Sequence, residues 1–277
     1  GIEGQAILKP LHYALRDASL VTGDQRHSIE LTYKRHDGDS KPTLDIQVDG
    51  GRLDLDTLGV TTLPKDKNDG DSAQGKAGGD HSLAVFERLE DGMASPIHIR
   101  FDIGFDAVQV MGRNIKKPAA KIKLRHDRLN IDNIGAANAY NANWQLQGRV
   151  ADISNMSGID IKGQVETGKL GSLAEAFLGK QADAYDLSGE AIARLGLEGT
   201  AADLDFTSNL KAMRLNAEAS GRIEDAVTAP ALASGSFRIR HPESAELIQI
   251  AAPEYKASSL LQHPVDVYGE FVPDQQD

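Results

Sequence analysis

The residues best suited to catalysis or metal binding are scattered through this chain. None of its histidines belongs to a His-Glu-x-x-His arrangement or to another pair at metal-ligand spacing. The chain has no cysteine, which removes disulfides, thiolate metal sites and cysteine nucleophiles. We therefore expect neither a metal site nor another cofactor. The histidines are His12, His27, His36, His81, His98, His126, His241 and His263.

Two short motifs match known chemistry in their letters only. Ser208 and Lys211 have the spacing of a Ser-x-x-Lys nucleophile, which needs a helix to place the lysine beside the serine. Here Phe206 and Leu210 alternate as in a strand instead. The acidic run at 66–71 departs from the order of acidic and glycine positions in a calcium loop. The sequence predicts no catalytic residues and no enzymatic activity.

A two-residue alternation of apolar and polar side chains is the dominant pattern of the sequence. Because successive side chains of a strand point to opposite faces, this pattern predicts strands with one apolar and one hydrated face. It recurs at 44–48, 142–150, 158–166, 187–197 and 213–219. The clearest example comprises Ile97, Ile99, Phe101, Ile103 and Phe105.

About a dozen such strands are expected, which is more than a flat sheet holds without curling. Leucines at helical spacing predict short helices at 83–89, 170–178 and 244–250. The segment 64–82 is rich in Lys, Asp, Gly and Ser, and it predicts a flexible polar insert. Trp144 lies on an apolar strand face, where core packing is the first interpretation.

The charge balance argues against a nucleic-acid partner. The 277 residues carry a formal net charge of −11, whereas nucleic-acid binding depends on clustered Lys and Arg that neutralise phosphates. Lys121, Lys123 and Arg125 alternate with apolar residues, which favours the hydrated face of a strand. No apolar run reaches the length of a membrane span.

Several phrases of the sequence resemble the AsmA-like family of bacterial envelope proteins. They are FDAVQVMG at 105–112, LNIDNI at 129–134 and AYNANWQLQGRV at 139–150, with a second Gly-x-Ile/Val ending at 215–223 and a leucine–aspartate segment at 53–58. The resemblance implies an all-β protein with a few short helices, in which an elongated, curved, mostly antiparallel sheet forms a groove or open barrel. Residues 1–277 would then be one fragment of such a β domain.

The resemblance also implies a function. Members of the family are periplasmic, tethered to the inner membrane, and associated with phospholipid movement and outer-membrane biogenesis. The expected partners are therefore a phospholipid or other acyl-chain lipid and the envelope membranes, with the tether supplied by a segment outside this sequence. The alternative is a ligand-free β-sandwich or interaction module of the envelope. The residues expected to line the lipid groove are Ile97, Ile99, Phe101, Ile103, Phe105, Leu187, Leu195 and Leu197.

Overall fold

The described part of the chain folds into one fourteen-stranded sheet in which strand order follows sequence order. The computed structural model describes residues 2–9, 11–22, 25–35, 41–56, 97–110, 113–178, 182, 185, 187–251 and 263–271. The predicted insert at 64–82 and the predicted helix at 83–89 lie outside these residues. The sheet is curved and open, it is mostly antiparallel, and it does not close into a barrel, as the sequence predicted.

The strands are seven to thirteen residues long, and two short helices interrupt their sequence. Helix α1 (Leu170–Leu178) follows β9, and helix α2 (Ser244–Ala251) follows β13. Neither described helix is long and apolar enough to cross a membrane. The strands are β1 (Ile2–Lys9), β2 (His12–Thr22), β3 (Gln25–Lys34), β4 (Thr43–Asp54), β5 (His98–Val110), β6 (Arg113–Arg125), β7 (Arg128–Ala139), β8 (Ala142–Asp152), β9 (Ser157–Thr167), β10 (Ala191–Thr200), β11 (Asp203–Ala212), β12 (Leu215–Glu224), β13 (Ala231–His241) and β14 (Val265–Phe271).

All neighbouring strands are antiparallel except β4 and β5, which are parallel. Antiparallel neighbours need only a tight turn, whereas a parallel pair requires a long connection between opposite ends of the strands. The chain between Asp56 and Ile97 provides that length. This parallel pair was not predicted, because residue alternation does not specify strand direction.

The strand register places apolar side chains opposite one another across the whole sheet. Ile46 lies opposite Leu31 on one side and Phe101 on the other, and Phe101 lies opposite Ile122. The same matching continues to β14, where Val267 lies opposite Ile239. A shift of one residue in any strand would turn its apolar set to the opposite side of the sheet. We call this side the apolar face and the other side the charged face.

Cross-strand ion pairs cover the charged face. Lys121 Nζ lies 3.0 Å from Asp102, and Lys123 Nζ lies 2.5 Å from Asp132. On the later strands, Arg222 Nε lies 3.0 Å from Asp203. These groups are half exposed, and such pairs contribute only about 0–1 kcal/mol each. Their main effect is on register, since a slipped strand would bring like charges together.

Candidate functional site

The site is an apolar trough on the apolar face, with a volume of about 830 Å³. It crosses the middle of the sheet from β4 to β11, and the register explains its continuity. Ile103, Ala120, Ile134 and Leu146 are successive cross-strand neighbours, and Leu146 lies opposite Gly163. The other apolar side chains that line the trough are Leu53, Leu55, Phe105, Val108, Ile115, Pro118, Ala119, Ala136, Trp144, Val165, Ala193 and Leu195.

Trp144 contributes a large ring to the trough rather than a residue of a closed core. Its indole Nε1 donates to the main-chain oxygen of Ala139 at 2.7 Å. The polar edge of the ring is therefore satisfied within the protein, and the rest of the indole serves as apolar surface. The sequence interpretation of Trp144 as a core residue was incomplete, because its apolar strand face is the face that stays open here.

Gly163 deepens the middle of the trough. It lies between Leu146 on β8 and Leu195 on β10, and a Cβ atom at its position would meet them at 3.6 and 4.0 Å, ordinary contact distances. Leu195 is 44% exposed, although it stands on a central strand. A leucine with this much exposure on an apolar face marks surface that the described residues do not cover.

Among the described residues, the apolar face is closed at two places. One is the end of β8–β11 that carries the β7–β8 turn, where Ala142, Ala191 and Ala212 are buried, and the other is the end of β8–β12 that carries the β8–β9 turn. Val150, Ile159 and Leu204 are buried there, and Ile153 and Ala226 from the adjoining turns pack against them. Ile159 lies opposite Val150, so these contacts again follow the register. The apolar face thus has a small closed core beside an open trough.

The eight residues predicted to line a groove fall into four groups. Ile103, Phe105 and Leu195 line the trough. Ile99 and Phe101 lie on the same face of β5, nearer its start, and Ile97 immediately precedes that strand. Leu197 packs against the closed core. Leu187 lies before β10, which begins at Ala191 and not near residue 186 as the alternation suggested. Gly189 between them has φ of 77°, which interrupts extended backbone.

Several lining residues were missed, although the sequence shows a change of apolar phase between Ala107 and Val108 that predicts a tight turn or bulge near Asp106. Val108 and Ile115 face each other across β5 and β6, and both line the trough with Phe105. Phe105 and Val108 have opposite parity in one continuous strand, so strict alternation would place them on opposite faces. The register between β5 and β6 stays in step on both sides of this point, and Lys117 of β6 departs from extended backbone there, with φ of 47°.

The structure also brings together two histidines that are distant in sequence. His98 Nε2 lies 3.3 Å from His126 Nδ1. Desolvation lowers the pKa of His98, and the nearby positive charges of His126 and Arg125 lower it further. Among the described residues, no group of three or more His, Cys, Asp or Glu side chains is placed to hold a metal ion.

Comparison with protein-family models, with curated proteins and with solved structures found no match. The resemblance to the AsmA-like family therefore stays a prediction that depends on the sequence phrases alone. The functional argument below accordingly depends on the geometry of the trough.

Proposed function

We propose that this protein binds the acyl chain of a lipid in the trough and acts without catalysis, as a lipid-binding or lipid-transport segment. The observation that carries the proposal is an open, almost wholly apolar trough of about 830 Å³ on an uninterrupted apolar face. Monomeric soluble proteins seldom leave such continuous apolar surface exposed unless it binds something. An acyl chain suits a long apolar trough because it needs no directional polar contacts.

Burial of an acyl chain in the trough would supply enough free energy for binding. Each buried methylene contributes about 0.8 kcal/mol, so ten methylenes contribute about 8 kcal/mol before the costs of association are subtracted. The head group would stay in water at the rim of the sheet. In this proposal, movement of a lipid would be diffusion along the apolar face. Its setting would be the periplasm, with a phospholipid as cargo and outer-membrane biogenesis as the process served, as the sequence resemblance implies.

The alternative is an interaction module that holds no lipid. The small closed core at Val150, Ile159 and Leu204 favours it, because such a core stabilises a sheet without any ligand. A two-layer sandwich is not what the described residues form, since all fourteen strands belong to one sheet. The two functions differ in whether the trough is occupied, which can be measured directly.

Filling the trough tests the proposal. In Gly163→Leu, the added side chain would occupy the centre of the trough without forcing a strained φ. Displacing three or four methylenes at about 0.8 kcal/mol each should weaken binding of a fluorescent fatty acid about a hundred-fold. The measurement is a fluorescence titration, with native mass spectrometry of the purified protein to detect lipid that co-purifies.

The matched control is Gly104→Leu, which makes the same change on the charged face of β5. A Cβ atom there would meet only Asp49 Oδ1, at 3.4 Å. This variant should bind the fatty acid like the unaltered protein. If the unaltered protein ignores the fatty acid and carries no lipid, the ligand-free interaction module is the better description.

A further inference from the structure

One end of the sheet carries a row of basic side chains across β1–β7. Lys9 lies opposite His12, and His12 lies opposite Lys34. At the same end, Arg125 lies opposite Arg128 across the β6–β7 turn. We call this end the basic rim. It comprises Lys9, His12, Lys34, Arg35, Lys41, His98, Arg125, His126 and Arg128.

Most cations of the basic rim have no carboxylate partner. Among the described residues, no ion pair is found for Lys9, Lys34, Arg35, Arg125 or Arg128, and all five are exposed. Lys121 and Lys123, only a few residues away, are both paired. Desolvation is the main cause of the lowered pKa of His98, and the cations His126, Arg125, Lys41 and Arg100 lower that pKa further.

The same end of the sheet is acidic over β8–β12. Asp203 lies opposite Glu224, and Glu198 lies between Asp160 and Asp205. The arginines here are already paired, as Arg222 Nε lies 3.0 Å from Asp203 and 3.1 Å from Asp205. In a protein of net charge −11, the basic rim is therefore a local concentration of positive charge.

An apolar path joins the trough to the basic rim. On β5 it runs through Ile103, Phe101 and Ile99, and on β6 it runs through Ala120, Ile122 and Leu124, which lie opposite them. These side chains are half-buried, not closed into a core. Over β8–β12, where the same end is acidic, the closed core of Val150, Ile159 and Leu204 covers the apolar face instead. A chain lying in the trough therefore has its open exit towards the basic rim.

The length of this path fits a lipid. Ile103 and His98 are separated by five residues of strand, which at about 3.3 Å per residue corresponds to about 17 Å. Each leaflet contributes about half of the ~30 Å hydrocarbon core of a bilayer, so a lipid chain spans about 15 Å. With its head group at the row of His98, such a chain would thus lie along the apolar path and place its end at Ile103, the edge of the trough nearest the basic rim.

We infer that the basic rim binds the negatively charged, phosphate-bearing head group of a lipid whose acyl chain enters the trough along the apolar path. The inference rests on the proposed function and adds a substrate class to it, namely anionic phospholipids in preference to zwitterionic ones. Lys34, Arg125 and Arg128 are the cations expected to contribute most, because they are exposed and have no ion pair among the described residues. They stand at the ends of their strands with the phase of the charged face, so their long side chains would reach the head group around the edge of the sheet.

Lipid competition tests the inference. The protein is incubated with vesicles of equimolar phosphatidylglycerol and phosphatidylcholine that carry identical acyl chains, then re-isolated, and its bound lipids are measured by native mass spectrometry. Phosphatidylglycerol should be enriched. The triple variant Lys34→Gln, Arg125→Gln, Arg128→Gln should lower the enrichment about five-fold per cation removed. Its binding of an uncharged fluorescent fatty alcohol should not change.

The control variant removes three cations from the acidic part of the same end, as Arg149→Gln, Lys162→Gln, Arg222→Gln. These partners of carboxylates should leave the lipid ratio unchanged. An equal loss of enrichment in both triple variants would overturn the inference, since net charge alone would then explain it. Titration with inorganic phosphate tests whether the basic rim binds a free phosphate ion as well as the phosphate of a lipid head group. Phosphate binding as strong as lipid binding would also overturn the inference.

Two further results would separate its failure from that of the proposed function. Equal amounts of both lipids in the unaltered protein would refute the basic rim as a head-group site while supporting the trough. No lipid of either kind would refute both. Stable flotation with anionic vesicles but no extracted lipid would indicate docking to the bilayer surface, and this result would overturn the inference.

Discussion

Single residues of this protein show how far a local pattern can be interpreted. Lys121, Lys123 and Arg125 were all predicted on the hydrated face of a strand. The two lysines are paired with Asp102 and Asp132, as expected of such a face. Arg125 has the same local spacing, but it stands at the end of β6 beside Arg128 and His126. Its surroundings, and hence its role in the basic rim, come from neighbouring strands.

His98 gives the residue-scale prediction. Its imidazole should titrate below the ordinary value of 6.5, because desolvation and then His126 and Arg125 disfavour the charged form. A folded-state pKa below the unfolded value means that the unfolded chain binds the proton more readily. The contribution of His98 to stability is therefore present above pH 6.5 and is lost as the pH falls through the folded-state pKa.

NMR titration of the His98 ring carbon resonance, assigned with His98→Asn, checks this prediction. Arg125→Gln should move the midpoint upwards, towards 6.5, since it removes one of the nearby positive charges. An unchanged midpoint in Arg125→Gln would show that Arg125 does not contribute to the potential at His98.

The sequence predicted individual helices and strands well where the pattern of neighbouring residues determines them. The helix predicted at 170–178 is α1, and the strand predicted at 142–150 is β8 with two further residues. Turns without Gly or Asn were harder to predict from the sequence. Met213 and Arg214 form the β11–β12 turn with φ of 48° and 63°, a conformation that neither residue favours.

Tertiary contacts hold that turn in place. The buried His241 Nε2 donates to the main-chain oxygen of Met213 at 3.0 Å, and Arg214 pairs with Glu243 and with Glu246 of α2. Helix α2, which follows β13, thereby stabilises the turn between β11 and β12. No sequence pattern within 211–216 predicts this turn, since the groups that stabilise it lie about 30 residues further along the chain.

The contrast between closed core and open trough gives the element-scale prediction. Leu204 is 7% exposed and packs in the closed core, so Leu204→Ala should cost about 2–5 kcal/mol of unfolding free energy. Leu195→Ala, at a residue 44% exposed, should cost less than about 1 kcal/mol and weaken fatty-acid binding instead. Urea unfolding followed by circular dichroism measures both. Equal destabilisation would mean that the trough is closed in solution.

The whole molecule is one long apolar face whose function depends on how it is covered. Fourteen strands in sequence order give continuity, and the parallel step between β4 and β5 does not interrupt it, since Val48 and Ile103 remain opposite each other. The trough, the closed core and the basic rim are three regions of this one surface.

Chain length gives the whole-molecule prediction. Affinity for fatty acids should increase about four-fold for each added methylene, at about 0.8 kcal/mol per methylene, and then level off when the trough is filled. Titration of a series of saturated fatty acids, from about eight to about eighteen carbons, checks it. Affinity that does not depend on length would contradict binding along the trough.

The sequence by itself determined which side chains share a face. Alternation is a local property, because each residue's direction depends only on its neighbours along the strand. The strands followed from it, whereas the helical spacing of apolar residues predicted both described helices and the family resemblance implied the curved, mostly antiparallel arrangement. Of the predicted groove residues, Ile103, Phe105 and Leu195 line the trough, which reflects correct faces without knowledge of position across the sheet.

Only the tertiary structure decided where that face is open and where it is closed. Val150 and Leu195 both belong to alternating strands, yet one is buried and the other is 44% exposed. The difference arises from register and from turns such as the one carrying Ile153, which fold over one end of the sheet. The basic rim has the same origin, because cations far apart in sequence meet only when seven strands align their ends.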